Sequence, residues 1–137
     1  MKRDSIQNIK VMPYTSATAI DRDGFLSGIL AVQTGSVGGG PSAMAVKITV
    51  TECDTESGNY TPAADKLIPI DKALDAAGSA SFEADVKGNK LMNIDLDFVG
   101  CKRYVKVAAV ATFTGGSGPS CTLTCALALG DPTEMPV

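Results

Sequence analysis

The residues of this chain that could do chemistry are few. Asp95 and Asp97 stand two apart in the run LMNIDLDF, which would place both carboxylates on the same face of a β-strand. Such a pair can act as a general acid and base or bind a divalent cation. The same alternation is typical of the solvent-facing row of a strand, and this is the interpretation that we favour.

Two further motifs contain charged groups in close sequence. The motif DRDG (21–24) has the acidic residues of a calcium loop, but apolar Phe25 and Leu26 follow at once, which favours a β-turn. The motif CKRY (101–104) could bind a phosphate or the carboxylates of a partner. Its long side chains are also typical of the start of a strand, and we favour that interpretation.

The chain contains no histidine, the usual base of a nucleophilic triad. Its four cysteines, Cys53, Cys101, Cys121 and Cys125, form no CxxC pair, so free thiols are favoured over a disulfide or a zinc site. The sequence therefore predicts no catalytic residue, no cofactor-binding residue and no metal ligand. We expect a protein that is not an enzyme.

Length and composition indicate one globular domain spanning residues 1–137, with 45% hydrophobic and 20% charged residues. The net charge of −3 gives no general attraction for nucleic acid or for an anionic membrane. No apolar run approaches the roughly 18 residues of a membrane span, and the first residues lack a secretory core. We expect synthesis in the cytoplasm and no membrane or nucleic-acid partner.

Hydrophobic residues alternate with period two along most of the chain, which predicts β-strands. We expect an all-β fold, a single-domain antiparallel β-sandwich or flattened barrel of six to eight strands. The only helical signal is PIDKALDAAG, where Asp71 would cap a short turn that ends at Gly78. The clearest predicted strands are 25–33, 44–51, 91–98, 104–113 and 121–129.

The segment 101–130 contains two apolar strands separated by the Gly-rich loop TGGSGPS, which predicts a β-hairpin. Both faces of its strands are apolar, so we expect it to be covered on both sides or to lie at a subunit contact. A second Gly-rich stretch, 34–42, is expected to be a loop. Residues 1–13 and 132–137 are expected to be extended arms that order on neighbouring subunits.

Three stretches resemble a group of small virion proteins of tailed bacteriophages: VKITVTECDTESGNYTPA, then CKRYVKVAAVATFTGGSGPS, then ALALGDPTEMPV. The four cysteines and the triple glycine at 38–40 depart from that pattern. The matching residues are Val46–Glu52, Asp54, Gly58, Tyr60, Lys102–Val107, Gly118–Pro119, Leu129–Asp131 and Pro136–Val137.

The resemblance implies a structural protein of the virion that binds and stabilises the capsid, as a decoration or minor capsid protein. Its partners would be the major capsid protein and further copies of itself in a homo-oligomer, and it would be located on the capsid surface. One alternative is a structural protein of the head–tail junction or the tail. Another is a β-sandwich module that binds carbohydrate or a host surface, although a chain without tryptophan is poorly equipped for it.

Overall fold

The computed structural model describes residues 8–64 and 72–132 and shows an all-β protein, as the sequence predicts. Within these residues there is no helix, and hence none with the length and hydropathy needed to cross a membrane. Two of the strands, β2 and β5, are only three and two residues long. The strands are β1 (Lys10–Tyr14), β2 (Ala19–Asp21), β3 (Phe25–Gly38), β4 (Ala43–Cys53), β5 (Thr61–Pro62), β6 (Ser79–Ala84), β7 (Leu91–Asp97), β8 (Tyr104–Thr114) and β9 (Ser120–Pro132).

Two antiparallel sheets pack together as a β-sandwich. The first sheet has the strand order β1-β9-β3-β7. The second sheet has the order β2-β8-β4, and β6 and β5 share the far edge of β4. Their inner faces form one core, whose fully buried members include Leu30, Val46, Ile48, Leu96 and Phe98.

Apart from β5, the strands of the two sheets are arranged like one four-stranded sheet folded double. Each strand of the first sheet connects through a short corner to a strand of the second: β1 to β2, β3 to β4, β6 to β7 and β8 to β9. The lateral order of these four pairs is the same in both sheets. The segment β3–β4 therefore pairs with β8–β9 along its whole length, from Phe25 opposite Pro132 to Cys53 opposite Tyr104.

The predicted hairpin over 101–130 is wrong, because β8 and β9 lie in different sheets. Their backbone groups bond to β4 and β3 instead, and alternation alone cannot say which strand a neighbour will be. The Gly-rich loop between them is a corner that crosses from sheet to sheet beside the corner 39–42. The two corners are joined by Ser42 N donating to Thr114 O (2.8 Å) and Ser117 N donating to Gly39 O (2.8 Å).

Glycine is required where these two corners touch. Gly39 has φ of +80°, and a Cβ there would lie 2.6 Å from Pro119 Cα. Gly116 has φ of +82°, and a Cβ there would lie 2.6 Å from Gly39 O. Backbone thus packs directly on backbone, which only residues without a side chain allow.

The N-terminal arm predicted over 1–13 is wrong in its boundary, because residues 10–13 belong to the edge strand β1. Met12 packs against the core and Tyr14 is buried within it. Pro13 is tolerated because an edge strand does not need every N–H. The Tyr14 hydroxyl donates to Thr18 O (2.6 Å) and accepts from Val107 N (3.1 Å), which joins the two sheets at this corner. Residues 1–7 lie outside the described part.

Three other predicted boundaries also change. β9 continues through Pro132, so the tail that was expected to begin there lies outside the described residues from 133 onward. The stretch 34–42 is a loop only from 39, since β3 extends to Gly38 through a bulge between Thr34 and Val37. The helical signal forms no helix over 72–78: Asp75 Oδ1 instead accepts from Ala77 N and Ser79 N in a turn before β6. Asp71 is outside the described residues.

Candidate functional site

The basic motif CKRY lies at the end of the sandwich opposite the four corners, where β8 begins. Arg103 makes a two-pronged contact with Asp21: Nε donates to Oδ1 (3.0 Å) and Nη2 donates to Oδ2 (2.9 Å). These hydrogen bonds lower the pKa of the Asp21 carboxyl and raise the pKa of the Arg103 guanidinium. Arg103 is therefore committed to an ion pair that joins β2 to the start of β8.

Two further side chains hold the segment 101–103 in place. Arg22 donates from its guanidinium to Cys101 O and, at 3.0 Å, to Lys102 O. Glu52, which is only 5% exposed, accepts a hydrogen bond from Lys102 N (3.0 Å). The backbone of the motif is thus bound by β4 and by the turn after β2.

The cation on β8 itself, Lys106, also has an internal contact. Its Nζ lies 4.1 Å from the centroid of the Tyr60 ring, and the Tyr60 hydroxyl donates to Glu56 O (2.8 Å). Arg103 and Lys106 thus point to neighbours within the chain instead of converging on one point. These contacts favour the start of a strand over a site for phosphate or for a partner's carboxylates.

The ion pair predicts a specific pH dependence of stability. At neutral pH, Asp21→Asn should lower the free energy of unfolding by less than about 1 kcal/mol, because both partners are about half exposed (51% and 44%). The pKa of Asp21 is lower in the folded state, so the stabilisation is complete above the unfolded-state pKa and is lost as pH falls through the folded-state pKa. The difference between wild type and variant should shrink below about pH 4.

Urea unfolding at neutral and acidic pH measures this difference. Asp23→Asn is the matched control, because Asp23 Oδ2 is 3.9 Å from Arg103 Nη2 and contributes less to the pair. An Asp21→Asn effect that grows on acidification would contradict the assignment.

The acidic side chains of the described residues do not come together as a metal-binding cluster. Asp95 and Asp97 both project outward from β7, and Asp97 Oδ1 accepts from Val99 N (2.9 Å) as part of a turn. DRDG forms the expected β-turn, with Phe25 N donating to Arg22 O (2.9 Å) and Gly24 at φ of +87°. Among the described residues, no three Cys, Asp or Glu side chains are grouped so that they could hold a metal ion.

None of the four cysteines forms a disulfide. Cys53 and Cys101 are buried at the end of the sandwich opposite the four corners. Cys125 packs against the core, where burial raises the pKa of its thiol. Cys121 is partly buried, and its Sγ contacts Gly35 O (3.7 Å). These positions are typical of structural thiols.

The outer face of the first sheet is an exposed surface that these contacts do not involve. Its residues alternate with the buried ones along the four strands. Large apolar side chains are exposed on it, with Val11 at 70%, Leu91 at 61% and Ile29 at 41%. The outer face of the first sheet comprises Val11, Pro13, Ser27, Ile29, Ala31, Gln33, Leu91, Asn93, Asp95, Asp97, Thr122, Thr124, Ala126, Ala128 and Gly130.

The pairing register arranges this face in rows across the four strands. One row runs Val11, Ala128, Ile29 and Asp95, from one edge of the sheet to the other. The next runs Pro13, Ala126, Ala31 and Asn93. The short side chains of Ala126, Ala128 and Ala31 thus lie in the middle of the face, next to the larger apolar side chains of Val11 and Ile29.

A shallow depression lies at one end of this face. Its volume is about 270 Å³, and its lining includes Ile9, Ile29, Asp95 and Asp131. Gly130 is part of the lining, and a Cβ at this position would have only Ser27 Oγ within 4 Å, at 3.8 Å. Room for an incoming side chain therefore exists on the apolar part of the face, with carboxylates at its rim.

No protein-family model, curated protein or solved structure matches this chain. The motif residues named in the sequence have definite places in the fold. Val46–Glu52 lies in β4, and its last three residues pair with the first residues of β8, from Val50 with Val107 to Glu52 with Val105, at the end of the sandwich opposite the four corners. Gly118–Pro119 lies at a corner and Leu129–Asp131 in β9, whereas Pro136 and Val137 are outside the described residues.

Sequence reasoning anticipated part of this arrangement. The apolar character of both rows in 121–129 was the signal for the open face, and the structure places one row inside and the other, with Ala126 and Ala128, outside. The contributions of Val11 and Pro13 were missed, because this stretch was assigned to an arm. The partnership of Asp21 with Arg103 had no sequence signal, since 82 residues separate them.

Proposed function

We propose that this protein is a structural component of a tailed-bacteriophage virion, located on the capsid surface, where it binds the major capsid protein and stabilises the shell. The observation that carries the proposal is the apolar outer face of the first sheet. An exposed apolar area of this kind, with polar residues at its border, is typical of protein–protein contact sites.

The polar chemistry of the chain supports a binding role more than a catalytic one. Four charged groups, Asp21, Arg22, Glu52 and Arg103, join strands and turns of the sandwich to each other. A rigid β framework with an open face is suited to covering and bridging capsid subunits. Many weak contacts repeated over a shell add up to strong attachment.

The resemblance of the motifs to small phage virion proteins supports the choice of particle. Because Val50–Glu52 of one motif pair with Val105–Val107 of the other, these residues belong to the framework and not to the contact surface. A protein of this kind would be made in the bacterial cytoplasm and assembled there, which agrees with four free thiols.

Counting copies of the protein in purified virions tests this proposal. Quantitative mass spectrometry against the major capsid protein should give a ratio close to a simple fraction of the capsid copy number, because decoration follows the symmetry of the shell. A ring-sized copy number would instead place the protein at the head–tail junction or in the tail. Absence from purified virions would overturn the proposal.

A further inference from the structure

The charges on the outer face of the first sheet point to the kind of partner that it fits. Every charged residue projecting from this face is a carboxylate: Asp95 and Asp97, with Asp131 at the rim of the depression. No lysine or arginine is among the outward residues of its four strands. The outer face of the second sheet differs, since Lys47, Glu83 and Lys106 give it both signs of charge.

We propose that this face docks onto an apolar segment of the capsid protein that carries a lysine or arginine side chain. This inference rests on the proposed function and adds the surface and the chemistry of the partner. The apolar part of the incoming segment would cover Val11, Ala128 and Ile29, which form one row. Its cation would reach Asp95, at the end of the same row, and Asp131 across the depression.

A second copy of this chain is the less suitable occupant. In a twofold contact the same face would meet itself, and the face has no cation to pair with the carboxylates of the second copy. A cationic partner would instead be attracted electrostatically to the carboxylates that surround the apolar centre. Complementary charge therefore selects the capsid segment over self-association at this surface.

The shape of the depression also suits a lysine or arginine side chain. It exists because Gly130 and Ser27 are small where two strands pair, and Ser27 Oγ donates to Asp131 Oδ2 (2.5 Å), which fixes that carboxylate at the rim. The long aliphatic part of a lysine or arginine can lie on the apolar lining of such a depression while its cation reaches the rim.

Sedimentation of the full-length protein with capsids assembled without it tests the inference. Asp95→Lys should weaken binding about tenfold or more, because it replaces attraction by repulsion. Glu83→Lys makes the same change of charge on the outer face of the second sheet and should bind like wild type. A variant that fills the depression, Gly130→Leu, should also bind more weakly. Circular dichroism and thermal unfolding check that each exposed substitution leaves the fold intact.

The outcomes separate the two proposals. Loss of binding by Asp95→Lys and Gly130→Leu, with binding retained by Glu83→Lys, supports the docking surface. Equal binding by wild type and all three variants overturns the surface while leaving capsid binding in place. Failure of wild type to bind capsids overturns the proposed function and the inference with it. If wild type is a dimer by analytical ultracentrifugation and Gly130→Leu is a monomer, the occupant is a second copy and the inference is wrong.

Discussion

Replacing Gly39 with alanine should lower the free energy of unfolding by about 3 kcal/mol, which combines left-handed backbone strain with steric overlap. The left-handed conformation at φ of +80° disfavours any side chain, and a Cβ would lie 2.6 Å from Pro119 Cα and 2.7 Å from Ser117 O. Neither atom can move without displacing the backbone of the neighbouring corner. Urea or thermal unfolding measures the loss.

Gly40→Ala is the matched control for this substitution. Gly40 also has positive φ, +59°, but a Cβ there would have no atom within 4 Å. It should therefore cost only the backbone strain, about 1 kcal/mol. Equal losses for the two variants would show that the corners do not pack on each other as described.

Replacing Phe98 with alanine should lower the free energy of unfolding by about 3–5 kcal/mol, as expected for a buried phenylalanine that leaves a cavity. Phe98 is fully buried just after β7, and its ring lies against Gly28, where a Cβ would come within 2.9 Å of Cε2. Its backbone N donates to Leu26 O and its O accepts from Cys101 N, both at 2.9 Å. The side chain thus anchors the turn that leads to the basic motif.

Phe82→Ala is the comparison for Phe98→Ala. Phe82 lies on β6, at the edge of the second sheet, and is only partly buried against the core. Its truncation should cost clearly less, since part of the space it leaves is open to water. Guanidinium unfolding of both variants gives the ranking. A larger loss for Phe82→Ala would place the centre of the core elsewhere.

Strand positions could be predicted from the sequence because alternation reports a local property, the burial of one face. Met44, Val46, Ile48 and Val50 were expected on one row and are all buried. Partnership between strands is not local, and here it failed: β8 was paired with β9, whereas its neighbours are β4 and β2. The corner between them has the composition of a hairpin loop, so composition gave no means of telling the two apart.

The edge strand β1 shows a second limit. Its sequence, KVMPY, contains a proline and too few apolar residues to be recognised as a strand. Met12 and Tyr14 join the core only because β1 pairs with β9. The candidate docking face has the same origin. Val11, Ala128, Ile29 and Asp95 come from four separate parts of the chain and meet only through the register.

The folded-double arrangement has a consequence for how the chain acquires its structure. β9 is the second strand of the first sheet, held between β1 and β3, and its partners precede it by about a hundred residues in the chain. During synthesis, β3 can pair with β7, but β1 has no partner in its sheet until β9 is made, so the first sheet cannot be completed before then. Sandwiches dominated by such distant pairings fold in milliseconds to seconds, far more slowly than helical bundles. Until β9 arrives, the apolar strands synthesised earlier have unpaired edges, and association with other chains competes with folding.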